Sequence, residues 1–153
     1  MNRYSIAVEG LTWMDHEYGL FGTAKHPVKW SLQAMQLNNG VHISNYTVLP
    51  MALNTPVQGQ ATVQYADGTT YLEPSTITPF GRTWKSSMGA VFFMDFKVEI
   101  PSFQAEFRVT TLVEAQDFPI PDSKIDTYEG VAKVSGRFVD HEVHGTAWNE
   151  QQP

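Results

Sequence analysis

The sequence predicts an all-β fold, an antiparallel barrel of about eight to ten strands around an internal apolar cavity. Apolar and polar residues alternate with a period of two along most of the chain, which is typical of strands. No segment of a dozen residues keeps the apolar stripe of a helix. Glycine beside Asn or Asp separates the alternating segments, as in tight hairpin turns. Closure into a barrel is expected because it removes exposed strand edges.

Eight strands follow from this alternation in chain order. They are predicted over residues 28–37, 41–49, 60–66, 70–79, 91–100, 105–113, 128–139 and 141–148. Asn39-Gly40 and Asp67-Gly68 predict tight reversals after the first and third strands, since these residues tolerate positive φ. The strongest alternation, over 91–100, predicts a hairpin with the strand that follows it. The Pro-containing connections 50–59 and 117–126 are expected to form the rims of a cavity.

Composition limits the classes of partner. The 153 residues, 42% of them hydrophobic, suit a single domain over residues 1–153. The formal charge is −6, with ten basic residues scattered along the chain, so neither nucleic acid nor a membrane surface is expected as a partner. The absence of cysteine excludes disulfides and sulfur-ligated metals. Without a signal-peptide pattern or a membrane-spanning run, the expected location is cytoplasmic.

The segment from Trp13 to Gly19 carries the clearest chemical pattern. If it is a strand, Trp13, Asp15 and Glu17 share one face, with the two carboxylates roughly 7 Å apart. A tryptophan that excludes water raises the pKa of a neighbouring carboxyl group, as does a like charge. The pattern therefore favours a carboxylic acid that stays protonated near neutral pH. The alternative is an ordinary solvated strand face with Trp13 packed nearby.

Several motifs resemble one family in the same order along the chain. Trp13, Asp15-His16 and Tyr18-Gly19 resemble the aromatic-x-Asp-His-x-aromatic-Gly signature of the lipocalin-like hydrolase and carotenoid 1,2-hydratase family, the AttH-type proteins. The stretches that agree after it are Trp30-Ser31-Leu32-Gln33, Asp67-Gly68 before Tyr71-Leu72, Trp84-Lys85-Ser86, Ile100-Pro101, Tyr128-Glu129-Gly130-Val131, Val134-Ser135-Gly136, Glu142 and Gly145. Members usually carry two lipocalin-like domains, and this chain resembles the C-terminal one alone.

The resemblance implies two kinds of reaction on hydrophobic natural products. In the carotenoid hydratases an acid adds water to an alkene, and the signature aspartate, Asp15 here, is the proton donor. Other relatives cyclise polyketide chains, including by Diels-Alder reactions, for which a shaped apolar pocket and one or two hydrogen-bond donors suffice. Trp13 stands where the hydratases have tyrosine, and their upstream His-x-Trp pair has no counterpart in these residues.

The predicted catalytic residues are Asp15 as acid, Glu17 as the carboxylate that tunes it, and Trp13 as a wall that stabilises a cation. The predicted substrate-binding residues are Tyr18, Trp30, Trp84, Phe92, Tyr128 and Glu129. Glu129 has a structural alternative, an ion pair with Arg82, Arg108 or Arg137.

No cofactor and no metal are expected. The sequence has no phosphate loop, dinucleotide fingerprint or Gly-x-Ser-x-Gly elbow. On a strand, His141 and His144 face opposite sides and cannot both bind one ion.

Three functions remain open from the sequence. The first is a cofactor-free lyase or isomerase, a hydratase or cyclase that uses general acid catalysis in the barrel cavity. The second is a non-catalytic carrier of a small hydrophobic molecule. The third is a structural partner, completed as a homodimer or by a separate lipocalin-like subunit.

Overall fold

The protein is an antiparallel barrel of eight strands with one extra strand at its edge. The computed structural model describes residues 4–10, 12–14, 22–23, 26–120 and 125–153. Its strands are β1 Gly22–Thr23, β2 His26–Pro27, β3 Trp30–Leu37, β4 His42–Thr47, β5 Val57–Gln64, β6 Thr70–Lys85, β7 Val91–Ile100, β8 Ala105–Thr111, β9 Asp117–Ile120, β10 Ile125–Phe138 and β11 His141–Gln152. The large sheet has the order β11-β3-β4-β5-β6-β7-β8-β10-β9, and the pairing of β10 with β11 closes it. This confirms the predicted lipocalin-like barrel.

The eight predicted strands all form; 91–100 has the predicted ends, and the others differ at one or both ends. The turns at Gly40 and Gly68 have the expected positive φ, and the hairpin between β7 and β8 passes through a short 3₁₀ turn. Strand β9 lies within the connection 117–126 that the sequence predicted as irregular. It is four residues long, contains Pro119 and, among the described strands, pairs with β10 alone. Such an edge strand is where a sheet tolerates proline.

Strand β6 continues six residues beyond its predicted end. A bulge between Phe80 and Thr83 shifts its register against β7. Gly81 lies within the bulge at φ +67°, a left-handed conformation that glycine adopts without strain. The bulge bends the strand without ending it, so the end of the β6–β7 hairpin extends beyond β8, whose pairing with β7 begins only at Asp95.

The two ends of the barrel interior differ in chemistry. One end, beside the turns that follow β3 and β10, is filled by apolar side chains: Met35, Leu37, Val41, Ile43, Val63, Ile77, Phe96, Val98, Ile100, Phe107, Val109, Val134, Phe138 and Val143. The other end holds buried amides and hydroxyls: Ser31, Gln33, Asn45, Thr47, Ser75, Thr111, Asn149 and Gln151. Gln33 pairs with both Asn45 and Asn149 in the ladder, so these three amides lie at one level of the barrel.

The buried amides satisfy one another. Asn45 Nδ2 donates to Gln33 Oε1 at 3.0 Å, and Gln33 Nε2 donates to Ser31 Oγ at 2.8 Å. Asn149 Nδ2 donates to Thr111 Oγ1 at 3.0 Å. Such buried groups are tolerated because each finds a partner. No helix in the described part of the chain is long and apolar enough to span a membrane.

Candidate functional site

Trp13 packs against the outer wall of the barrel. With Thr12 it borders a groove of about 220 Å³, and the rest of this lining comes from β3, β10 and β11: Ala34, Gln36, Val131, Thr146, Ala147 and Trp148. We call this set of residues the outer groove. Ala34 alternates with the interior residues Gln33 and Met35 and so faces outward, yet it is only 2% exposed. The small side chain of Ala34 leaves room on the wall for what packs there.

Two tryptophans line the outer groove, and one of them binds a carboxylate. Trp148 Nε1 donates to Glu129 Oε2 at 2.6 Å, and the ladder pairs Trp148 with Val131, two residues beyond Glu129. The indole nitrogen of Trp13 is buried and has no hydrogen-bond partner among the described residues. A buried N–H without a partner is costly, so Trp13 is a donor that a bound acceptor would satisfy. Glu129 therefore accepts a hydrogen bond from Trp148. It forms no ion pair with Arg82, Arg108 or Arg137, the structural alternative, among the described residues.

Trp84, Phe92 and Tyr128 meet in a second place, the aromatic cluster. Together with Met94 and Ala90 they form an apolar group separate from the main core, and the rings of Phe92 and Tyr128 lie 5.4 Å apart. Trp84 Nε1 donates to Asp117 Oδ1 at 2.7 Å, which fixes the indole against β9. Three of the predicted substrate-binding residues therefore pack in one cluster. Phe92 and Tyr128 are fully buried there.

Tyr128 is a fixed, neutral hydrogen-bond donor. Its hydroxyl donates to the backbone carbonyl of Val113, and its ring lies over Gly130, where a Cβ would overlap it. Burial raises the pKa of Tyr128 to about 12, and the nearby carboxylates of Asp117 and Glu114 add to the shift while Arg82 opposes it. The phenol is thus protonated at any physiological pH.

Trp30 belongs to a third place, a cavity of about 300 Å³ at the polar end of the barrel. We call it the mouth cavity, and its lining is Lys29, Trp30, Leu49, Pro50, Met51, Val91, Phe93, Gln151, Gln152 and Pro153. Gln151 forms its inner boundary: Gln151 Oε1 accepts from Phe93 N–H at 2.9 Å, and Nε2 donates to Phe93 C=O at 2.7 Å. The walls are mostly apolar, as in sites for small organic ligands.

The predicted acids cannot be placed in this arrangement. Asp15, Glu17 and Tyr18 lie outside the described residues, so their catalytic and binding roles stay predictions. Trp13 and Met14, at the start of the same segment, are not in a strand. Sequence reasoning missed Trp148, Gln151 and Asp126. Only the register of β10 against β11 brings Trp148 beside Glu129. No local motif marks Gln151 or Asp126.

The residues described contain no group of three or more His, Asp or Glu side chains that could hold a metal ion.

Comparison with known proteins agrees with the fold. Residues 1–152 match the profile of a family described as AttH-like. Kievitone hydratase from Nectria haematococca has a similar structure, with a TM-score of 0.72 and 25% identity; the match covers 83% of this chain and 40% of that protein. An AttH-type protein from Nitrosomonas europaea matches with a TM-score of 0.60 and 20% identity over 81% of this chain and 38% of its own. No curated protein sequence matches.

The fold therefore defines a lipocalin-like barrel protein. The chain belongs to the AttH-like family, and it spans about two fifths of the length of the two solved relatives.

Proposed function

We propose that this protein is a cofactor-free enzyme that acts on a hydrophobic natural product, and that its reaction is the acid-catalysed hydration of a carbon–carbon double bond. The observation that carries the proposal is the outer groove, which is lined by Trp13, whose indole N–H has no partner among the described residues, and by Trp148, which binds Glu129. The structural likeness to kievitone hydratase supports hydration among the reactions that the family resemblance implies. Cyclisation and isomerisation are the related reactions that the same acid would serve.

In this mechanism the segment after Trp13 supplies the acid. Asp15 transfers its proton to one alkene carbon, a cation forms on the other, and water attacks that carbon and returns a proton to the carboxylate. Trp13 and Trp148 are the aromatic faces available to a cation near the groove, since an indole attracts positive charge through its quadrupole. Glu129 adds a negative charge whose position is fixed by Trp148. Glu17 is proposed to keep the acid protonated by like-charge repulsion.

The substitution Asp15→Asn tests the acid. We expect loss of turnover, by roughly a hundredfold or more for a general acid, with an unchanged circular dichroism spectrum and unchanged ligand binding. A panel of polyenes, polyketides and isoprenoids is incubated with the protein and analysed by mass spectrometry. A product heavier by one water identifies hydration, and an unchanged mass with a new retention time identifies cyclisation or isomerisation.

A matched control is Asp140→Asn, because Asp140 is an exposed carboxylate in a surface pair with Arg137. It should leave turnover as it is. Full turnover in Asp15→Asn would contradict the role of Asp15. Trp148→Phe tests the contribution of the outer groove while Asp15 is kept. It removes the hydrogen bond to Glu129 but leaves both carboxyl groups in place. We expect a lower kcat, with KM changed less than threefold.

A second candidate function is a carrier of a small hydrophobic molecule. The mouth cavity favours it, because its lining includes several apolar residues, among them Trp30, Leu49 and Met51. A carrier would yield an unaltered ligand by mass spectrometry of the purified protein, and Asp15→Asn would bind that ligand as tightly as the parent protein does.

A further inference from the structure

Arg108 is an exposed arginine whose guanidinium makes no hydrogen bond or ion pair in the part of the chain that the structure describes. Arg82 and Arg137, the other arginines described, each form ion pairs with carboxylates. The guanidinium of Arg108 instead faces the ring of Phe80, with 4.7 Å from Cζ to the ring centroid. This cation–π contact leaves the N–H donors without an acceptor. The ring therefore orients a guanidinium whose donors are unused.

Arg108 belongs to a row of outward-facing residues on four neighbouring strands. The ladder pairs Arg108 on β8 with Lys97 on β7 and with Ser135 on β10. Lys97 in turn pairs with Thr78 on β6. The residues on either side of Arg108 along β8 are buried in the interior, so its own side chain lies on the outer face. The row brings two cations and two hydroxyl groups to one level of the wall.

The two cations of this row are compensated unequally. Side chains directly opposite each other in a ladder interact, and like charges in such positions destabilise the sheet. Lys97 Nζ lies 3.0 Å from Glu99 Oε1 and 3.2 Å from Glu106 Oε2, so its charge is balanced. Arg108 has no carboxylate of its own among the described residues. An added negative charge would therefore be most favourable at Arg108.

The row borders a groove of about 500 Å³ on the outer wall, which we call the arginine groove. Its lining is Thr78, Phe80, Lys97, Glu106, Phe107, Arg108, Ser135, Gly136 and Glu142. It shares no lining residue with the outer groove or the mouth cavity. Asp126, a buried carboxyl group without a partner among the described residues, lines none of the three. A ligand in the arginine groove would leave the residues of the proposed function unoccupied.

The charges of the lining specify the class of ligand. Lys97 and Arg108 are balanced formally by Glu106 and Glu142, so a single negative charge is favoured over a phosphate dianion, which the two carboxylates repel more strongly. The planar fork of a guanidinium matches a carboxylate, which it binds with two parallel hydrogen bonds. The partly buried ring of Phe80 offers apolar surface to the body of the ligand.

We infer that the arginine groove binds the carboxylate group of a small organic acid with an apolar or aromatic body. Arg108 donates the forked hydrogen bonds, and the hydroxyl of Ser135, on the neighbouring strand, is a further donor. Phe80 positions the guanidinium. This site goes beyond the proposed function and does not depend on it, because it lies on a different part of the wall and involves no reaction.

The test is a nuclear magnetic resonance titration of the full chain, labelled with nitrogen-15, at pH 7.5 and constant ionic strength. The probe is sodium benzoate, and its neutral counterpart is benzamide, which has the same ring and a planar head group. We expect saturable shifts of the backbone amides of Lys97, Arg108 and Ser135 with benzoate. Benzamide should bind about tenfold more weakly, because it lacks the charge that strengthens the hydrogen bonds.

Two substitutions at Arg108 separate the fork from the charge. Arg108→Gln removes both, and the saturable shifts should disappear. Arg108→Lys keeps the charge and loses the fork, so benzoate should bind at least roughly threefold more weakly. Lys133→Gln is the matched control, because Lys133 is an exposed cation on the same face of β10 and does not line the groove. It should keep the parent affinity, and each spectrum also shows that the variant is folded.

Four results would overturn the inference. They are an absence of saturable shifts in the groove, equal affinity for benzamide, parent affinity in Arg108→Gln, and parent affinity in Arg108→Lys, which would exclude the forked contact. Inorganic phosphate, mostly a dianion at pH 7.5, is expected to bind more weakly than benzoate, and tighter binding of phosphate would contradict the carboxylate class. Turnover is not measured in this titration, so the proposed function is tested independently of it.

Discussion

Arg82 holds Asp95 across the bulge of β6. The guanidinium donates from Nε to Asp95 Oδ2 at 3.0 Å and from Nη2 to Asp95 Oδ1 at 3.1 Å, and the backbone N–H of Arg82 adds a third bond at 3.2 Å. Nη2 also donates to Thr111 C=O at 2.9 Å. The side chain of Asp95 is only 5% exposed. One ion pair thus joins β6, β7 and β8 where β6 bends.

Asp95→Ala should destabilise the protein by about 2 kcal/mol, because it removes charged hydrogen bonds and leaves the Arg82 backbone N–H unpaired. The half-exposed guanidinium recovers part of its solvation, which keeps the loss below that of a fully buried pair. Urea denaturation measures the free energy of unfolding. Asp140→Asn is the control, because it breaks an exposed pair and asparagine tolerates the positive φ of this position; it should change the free energy of unfolding by less than about 0.5 kcal/mol. An equal loss of unfolding free energy in the two variants would contradict a stabilising role for the Arg82–Asp95 pair at the bulge.

Gln151→Leu should be more damaging than its position near the C-terminus suggests. The substitution keeps the volume but leaves the N–H of Phe93 unpaired and removes the shorter of two hydrogen bonds to Phe93 C=O, which also accepts from Asn149 Nδ2 at 3.3 Å. One unpaired backbone N–H and one lost hydrogen bond cost about 2 kcal/mol together. Hydrogen exchange of the Phe93 amide should become faster along with the lower stability.

The neighbouring substitution Gln152→Leu is the control for Gln151. Gln152 donates one bond, to Val28 C=O at 2.9 Å, and its loss should cost about 1 kcal/mol without changing exchange at Phe93. Unchanged exchange at Phe93 in Gln151→Leu would show that these bonds do not hold β7.

Gly130→Ala should displace the ring of Tyr128. A Cβ at this position would overlap the tyrosine ring, and overpacking of this kind costs about 1–3 kcal/mol. The near-ultraviolet circular dichroism of the aromatic cluster should change as well. Gly10→Ala is a matched control because no atom of the described residues lies within 4 Å of its Cβ position. A Gly130→Ala protein with parent stability and spectrum would mean that the ring moves aside freely.

Tyr128 makes the protein lose stability at high pH. Its pKa is about 12 in the folded protein against 10.0 for an unperturbed tyrosine. Between these values the unfolded chain has lost the proton that the folded protein keeps, so the free energy of unfolding falls as pH rises. The stabilisation is complete below pH 10, and about 2 kcal/mol of it is lost by pH 12.

Tyr128→Phe isolates this contribution. The difference in free energy of unfolding between the parent protein and the variant, measured in urea at pH 9, 10 and 11, should shrink as pH rises. Deprotonation of other groups affects both proteins alike and cancels in the difference. A difference that stays constant over this range would contradict a raised pKa at Tyr128.

The strands were predictable because their signal is local. Period-two alternation and Gly-Asn or Gly-Asp turns report directly on backbone geometry, so the eight main strands and the tight turns at Gly40 and Gly68 follow from neighbouring residues. The bulge at Gly81 was not predictable in this way, since Arg82 needs Asp95, thirteen positions later, to hold it. Strand β9 was missed because four residues with a proline resemble a loop until β10 pairs with them.

The candidate sites depend on information that alternation does not contain. Periodicity places Glu129 and Val131 on one face of β10, but only closure of the barrel places Trp148 beside them. Likewise, no pattern near Trp13 indicates that it packs on the outside of the wall. Asp126 is unremarkable in sequence, and only its burial without a partner distinguishes it.

The link between Gln151 and Phe93 has a consequence for how this barrel end opens. From Val91 to Met94, β7 has no neighbour on the β8 side among the described strands, and two side chains of β11, Gln151 and Asn149, bind the N–H and C=O of Phe93 in its place. On its other side the same segment pairs with β6. A substitution at Gln151 can therefore alter this end of the barrel while the ladders of the wall stay as they are.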